Sequence, residues 1–230
     1  MIYFYSGTPG SGKSLHVAKD IVNKLTVKKQ NVISNIKIDL EGVRSVSLFK
    51  PKVESMGKFF FIDNTVEPSY FYKYAEEHHV KGVEGQTLIV FDEAQMLFSP
   101  TVIKLKQQED KTFRAKWLEF FTQHRHLGFN IIIISQFDRL IDPQIRCLFE
   151  YNIIHRKVNN FKIGWICSLL KISVFCAINY WYGVKERMGC EFYLYQKKYS
   201  KIYDSYKLFD EKIKSDKNFN DLVNTQMQSE

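Results

Sequence analysis

Cysteine is sparse in this chain. Cys147, Cys167, Cys176 and Cys190 stand singly, with no Cys-x-x-Cys pair and no histidine at metal-ligand spacing. Single cysteines among apolar neighbours are expected to be buried, reduced packing residues, as in a cytosolic protein. Internal repeats and low-complexity segments are missing too. The amino end, "MIYFYSGTPG", has neither a basic n-region nor a cleavable apolar stretch, so no secretory signal is expected. The best candidate for a membrane span, "IGWICSLLKISVFCAINYWYGV", is interrupted by Lys171. Its longest uncharged part, Ile172 to Val184, falls short of the roughly 20 apolar residues that a spanning helix needs. Its β-branched and aromatic residues fit buried strands better.

What is present is a chain of 230 residues, enough for one large domain with a substantial core. An apolar content of 45% with 25% charged residues places it among globular proteins. The net charge of +8 suits an anionic partner such as nucleic acid or a membrane surface. A lysine-rich composition without any such partner gives the same balance.

Hydrophobic periodicity alternates between strand and helix. "IYFYS" reads as a short buried strand and "GTPGSGKS" as the loop that ends it. A helix follows, with Ala18, Ile21, Val22 and Leu25 at helical spacing. "NVISNI" and "FFFID" read as strands, "PSYFYKYAEEHH" as a helix and "TLIVFD" as a buried strand. "FRAKWLEFFTQHRHL" is helical, with Trp117, Phe120, Phe121 and His124 on one face, and "NIIIISQ" is a strand too apolar to have a wet side. This order predicts an α/β fold with a mainly parallel sheet flanked by helices. After about Glu150 "YNIIHRKV", "ICSLLKISVFCAINYWYG" and "EFYLYQKKYSKIY" read as strands without intervening helices, expected as antiparallel additions at one sheet edge. The main domain is expected over 1–204, with a polar terminal helix or tail over 205–230.

The strongest signal is Gly7-Thr8-Pro9-Gly10-Ser11-Gly12-Lys13-Ser14, which matches G-x-x-x-x-G-K-[ST] between a predicted strand and a predicted helix. Glycines let the backbone curl so that successive N–H groups meet phosphate oxygens, and the helix adds the positive end of its dipole. Lys13 is assigned to the β- and γ-phosphates, Ser14 to Mg²⁺, and Leu15 completes the binding stretch. Asp92, ending "TLIVFD", is the candidate second metal ligand, because a buried strand delivers its last side chain to the carboxyl edge of the sheet. Glu93 is placed to orient and polarise a water for attack on the γ-phosphate. About 75 residues separate the two motifs, enough for an extra strand.

Gln136 follows "NIIII" and is the candidate sensor of the γ-phosphate or the lytic water, because an amide donates, accepts and does not titrate. The helix before that strand is expected to end in the same region of the sheet, near a surface that a neighbouring subunit could use. His124 then has a packing role and His126 lies on the solvated side. Arg125 is the candidate finger into an adjoining subunit's site, with effects on the order of 10³ in rate. Arg146 is its rival, and an intrachain salt bridge is the plain alternative.

"GTPGSGKS", "TLIVFDEAQ" and "QHRHLGFNIIIISQ" together resemble the N-terminal ATPase region of the zonular occludens toxin (Zot) family, over roughly Ile2 to Glu150. These are assembly proteins of filamentous phages, related to the FtsK/HerA group of DNA-pumping ATPases. The resemblance implies a RecA-like P-loop fold, ATP and Mg²⁺, and a hexameric ring acting on single-stranded DNA or the assembling virion. It favours Arg125 over Arg146 as the finger and supports Gln136. The family's usual membrane-spanning helix is not evident, so inner-membrane attachment would depend on a phage assembly partner. Three other readings use the same P-loop: an FtsK/HerA-type DNA translocase or packaging ATPase, a nucleotide kinase or switch, and an adaptor in which nucleotide only holds the fold together. For DNA contact, "YQKKYSKIY" interleaves aromatic and basic residues, although a solvated strand face reads the same way.

Overall fold

The computed structural model describes residues 1–47, 50–160 and 173–203. Its centre is a sheet of eight strands in the order β3-β2-β4-β5-β1-β6-β7-β8. The middle strands are β1 (Ile2–Ser6), β4 (Thr87–Phe91) and β5 (Phe129–Ile134), with β2 (Asn31–Ser34) and β3 (Phe59–Phe61) outside β4. Beyond β1 lie β6 (Tyr151–Lys157), β7 (Val174–Trp181) and β8 (Glu186–Leu194). All pairs from β3 to β6 are parallel, whereas β6–β7 and β7–β8 are antiparallel. The expectation for "YNIIHRKV" is thereby corrected: β6 pairs in parallel with β1, and only β7 and β8 are antiparallel additions.

Alternate residues of each central strand serve opposite faces, which is why "NIIIIS" has no polar side. Phe4, Ile131, Ile133, Ile89 and Phe91 join one core, and Tyr5, Ile132, Ile134, Leu88 and Val90 the other. The first core is closed by α3 (Pro68–His78), α4 (Gln95–Phe98), α5 (Pro100–Glu109), α6 (Phe113–Gln123) and α7 (Pro143–Arg146). It is built on aromatic rings: Trp117 sits 4.8 Å from Phe98 and 5.6 Å from Phe121, ring centre to ring centre. The second core is closed by α1 (Lys13–Val22), α2 (Leu40–Val46) and α8 (Lys197–Ile202). Burying each large side chain in these layers contributes about 2 kcal/mol.

The predicted helical face of Trp117, Phe120, Phe121 and His124 is buried as expected. Regular helix stops at Gln123, and the next residues form a closing turn. Phe129 N–H donates to the His124 carbonyl at 2.8 Å and Gly128 N–H to that of Arg125 at 3.0 Å, a Schellman closure with Gly128 left-handed at φ 87°.

Other expectations shift. "KKYSKI" forms helix α8 and not a strand. Cys176 is buried and Cys190 half-buried, but Cys147 is exposed, because it follows a short surface helix. Cys167, the first half of the apolar run and segment 205–230 lie outside the described residues; Val174–Trp181 of that run is strand β7. Among the described residues no helix is long and apolar enough to cross a membrane.

Candidate active site

Strand β1 delivers the chain to the carboxyl edge of the sheet at Ser6, and the loop from Gly7 to Gly12 turns it into α1. Gly7, Gly10 and Gly12 all have positive φ. At Gly12, φ is 96° and an added Cβ would lie 2.7 Å from the Phe175 ring, so only glycine fits there. Thr8, Pro9 and Gly10 form the exposed crest. No side chain caps α1, which leaves the first-turn amides of Lys13, Ser14 and Leu15 unpaired within the helix. The Ser11 hydroxyl is buried without a partner. A curled loop with unused donors at a helix start is the chemistry that polyphosphate requires, so the residues present fit a nucleotide. The Leu15 side chain packs into the α1-side core, and its contribution to the site is its main chain.

Lys13 folds back on the loop: its Nζ donates to the Gly7 carbonyl at 2.6 Å and to the Thr8 carbonyl at 3.2 Å. Burial lowers the Lys13 pKa, and the charges of Glu93 and Asp92 oppose that shift. Both acids follow β4 directly. The Asp92 main chain is clamped by Asn35, whose side chain accepts from its N–H at 2.7 Å and donates to its carbonyl at 2.9 Å. Burial raises the Asp92 pKa, and a hydrogen bond from the Tyr203 hydroxyl to its Oδ2 works the other way. Burial and the charge of Asp92 push the Tyr203 phenol well up, and Ser14 nearby works the other way.

Glu93 is exposed and held at φ 44°, an uncommon backbone conformation for a glutamate. Gln95 donates to its carboxylate through Nε2 and accepts from Ser135 Oγ at 2.8 Å through Oε1. That amide joins the acid after β4 to the end of β5. Next along, the Gln136 carbonyl accepts from Gly7 N–H at 3.2 Å. Gln136 lines a cavity of about 510 Å³ together with Ser6, Gly7, Thr8 and His155. The loop, the acid pair and the amide therefore meet on three adjacent strands, β1, β5 and β4, with β5 between the other two. Behind the loop, His16 and His155 share a hydrogen bond of 2.8 Å in the interior.

Sequence reasoning missed Asn35, Gln95 and Tyr203. Gln95 was within sight as the last letter of "DEAQ"; Asn35 and Tyr203 are far away in the chain and carry no local signal.

The profile of the zonular occludens toxin family matches residues 1–207. The chain belongs to the Zot family. No curated protein matches. Among solved structures, the N-terminal domain of zonular occludens toxin from Neisseria meningitidis is similar at 17% identity and a TM-score of 0.49, covering 88% of this chain and 98% of that one. A DnaB-like replicative helicase is similar at 11% identity and a TM-score of 0.56, covering 86% of this chain and 57% of that one. A separately solved ATPase domain is similar at 9% identity and a TM-score of 0.55, covering 86% and 82%. The latter two show a RecA-like fold. Family, fold and loop agree on a Zot-family chain with a RecA-like P-loop fold.

The basic cluster of this Zot-family protein lies elsewhere than expected. Helix α6 runs back along the sheet, so Arg125 sits where β5 begins, whereas the P-loop sits where strands end. A strand of this length puts the two edges roughly 20 Å apart. Arg125 forms an exposed salt bridge with Glu84 at 3.3 Å, a contact worth about 0–1 kcal/mol. His124 is buried with Nδ1 at 2.6 Å from the Phe121 carbonyl, and His126 is exposed. Arg146 closes α7, half-buried, beside a second cavity that it lines with Asp138 and Tyr182. In "YQKKYSKIY", Tyr199 and Tyr203 pack into the α1-side core, so of its tyrosines Tyr195 is the exposed one, next to the exposed Lys197, Lys198 and Lys201. The stacking half of that DNA reading is thereby weakened.

Proposed function

We propose that this chain is a Mg²⁺-dependent ATPase motor for filamentous phage assembly or extrusion. In this reading it works as a hexameric ring on single-stranded DNA or the assembling virion, at the inner face of the host membrane through a phage assembly partner. The observation that carries the reading is the convergence of the P-loop, Asp92–Glu93 and Gln136 on three neighbouring strands. Magnesium–ATP bound there would supply the transferable phosphoryl group and a divalent charge.

The chain's own residues divide the remaining work. The loop from Gly7 to Gly12, with the amides of Lys13, Ser14 and Leu15, holds the phosphates. Ser14 and Asp92 hold the metal, and the Lys13 ammonium offsets negative charge once it leaves the Gly7 and Thr8 carbonyls. The Glu93 carboxylate orients a water and accepts its proton. Gln136 reports on the phosphate end of the site. Arg125, too far from its own P-loop, acts in the site of the next subunit, as a hexamer permits.

One observation favours a second reading, the non-motor adaptor: a phenol already donates to Asp92, an expected metal ligand. ATP turnover measured with and without single-stranded DNA, alongside particle mass by light scattering, separates the two. The motor predicts turnover in ring-sized particles, stimulation by DNA, and loss of turnover in Lys13→Ala. Tight nucleotide binding with negligible turnover at high protein concentration would replace the motor by the adaptor.

A further inference from the structure

The C-terminal elements reach the metal ligands from outside the nucleotide motifs. Helix α8 packs on α1 and α2, with Ile202 buried in the α1-side core at 2% exposure. Asp39 N–H donates to the Ile202 carbonyl at 3.3 Å, and Ile38 and Tyr203 form an antiparallel bridge. These contacts aim the Tyr203 side chain inward, where its hydroxyl donates to Asp92 Oδ2. The adjoining strand grips the same helix start: the Tyr193 hydroxyl donates to the Gly12 carbonyl at 3.1 Å.

A magnesium ion needs near-octahedral oxygen ligands about 2.0–2.1 Å away. A phenol that donates to Asp92 Oδ2 already occupies an oxygen that such an ion would draw on. An O–H donor is also a fair substitute for a cation against a half-buried carboxylate, because it satisfies the charge that burial would otherwise leave bare.

We propose that Tyr203 is a member of the metal site that competes with Mg²⁺ for Asp92, so that docking of α8 and loading of metal–nucleotide exclude each other. The inference rests on the ATPase reading and adds the regulation of that site. Metal loading displaces the phenol, breaks the Ile38–Tyr203 bridge and frees α8 from α1 and α2. Linkage makes the effect reciprocal: a partner that draws α8 away raises metal–nucleotide affinity by the factor by which metal–nucleotide promotes release.

The test uses the full chain, Mn²⁺ as a spectroscopic probe and a non-hydrolysable ATP analogue. Tyr203→Phe keeps the ring and removes the hydroxyl. It should bind Mn²⁺ with the analogue on the order of tenfold more tightly than the wild type, the worth of one hydrogen bond to a charged acceptor. In the wild type, hydrogen exchange across residues 197–203 should speed up with metal and analogue together, but not with analogue in a chelator. Equal or weaker Mn²⁺ binding by Tyr203→Phe, or unchanged exchange over 197–203 when metal binds, overturns the proposal while leaving the ATPase reading standing. Absence of metal-dependent nucleotide binding in both proteins overturns the ATPase reading and this one with it.

Discussion

Glu93 occupies a conformation that its own side chain does not favour. A positive φ of 44° in a non-glycine residue costs on the order of 1 kcal/mol, and its surroundings over-determine it. Ala94 N–H donates to the Ile134 carbonyl at 2.9 Å, and the Gln95 amide holds the carboxylate. The turn therefore holds the exposed acid where its charge acts on Lys13 of the P-loop. If Glu93 is the base, Glu93→Gln should preserve nucleotide binding within about threefold and lower turnover by at least about 10²-fold. Paired binding and turnover measurements check this, and a mutant that hydrolyses ATP normally would assign the water to another group. Asp92 and Glu93 were legible as a pair because an apolar strand ending in two acids is a local pattern. Their partners were not, since hydrogen bonding by Asn35 and Gln95 depends on where neighbouring strands end.

At the scale of elements, α6 and β5 explain the block "QHRHLG". Its glycine caps the helix, and its first histidine fills the helix's buried face. Burial, with the charge of the chain's amino terminus, lowers the His124 pKa to about 4. Behind the P-loop, burial and the neighbouring His16 lower that of His155 to about 3. Both rings are thus neutral in the folded protein. Below about pH 6.5 the unfolded chain takes up protons that the folded chain refuses, so these two sites lose stability as pH falls from 6.5 towards 4. Each should cost about 2 kcal/mol between pH 7 and pH 5. Urea unfolding at the two pH values provides the check. In His124→Leu the loss should be smaller by about 2 kcal/mol, whatever the variant's stability at pH 7; an unchanged loss would show that His124 titrates normally. Helical periodicity alone revealed the buried face. The closing turn at Gly128 was not legible, because an added Cβ there would meet Gln86 and His79, residues that only the fold brings near.

At the scale of the whole molecule, the separation of Arg125 from the P-loop makes any catalytic role depend on a second subunit. Subunits carrying Arg125→Ala, mixed with subunits carrying Glu93→Gln, should recover part of the turnover that each lacks alone, because some interfaces then pair an intact finger with an intact base. Verified mixed particles without recovery would argue against a finger in trans. The sequence by itself determined the parallel α/β core, the nucleotide loop and the acids after β4, since each is a matter of local period or of residue types a few positions apart. The opposite placement of Arg125, the parallel pairing of β6 and the meeting of Tyr203 with Asp92 were decided by tertiary structure alone. Strand direction and long-range contact are set by how whole layers pack, and no short stretch of residues carries that information.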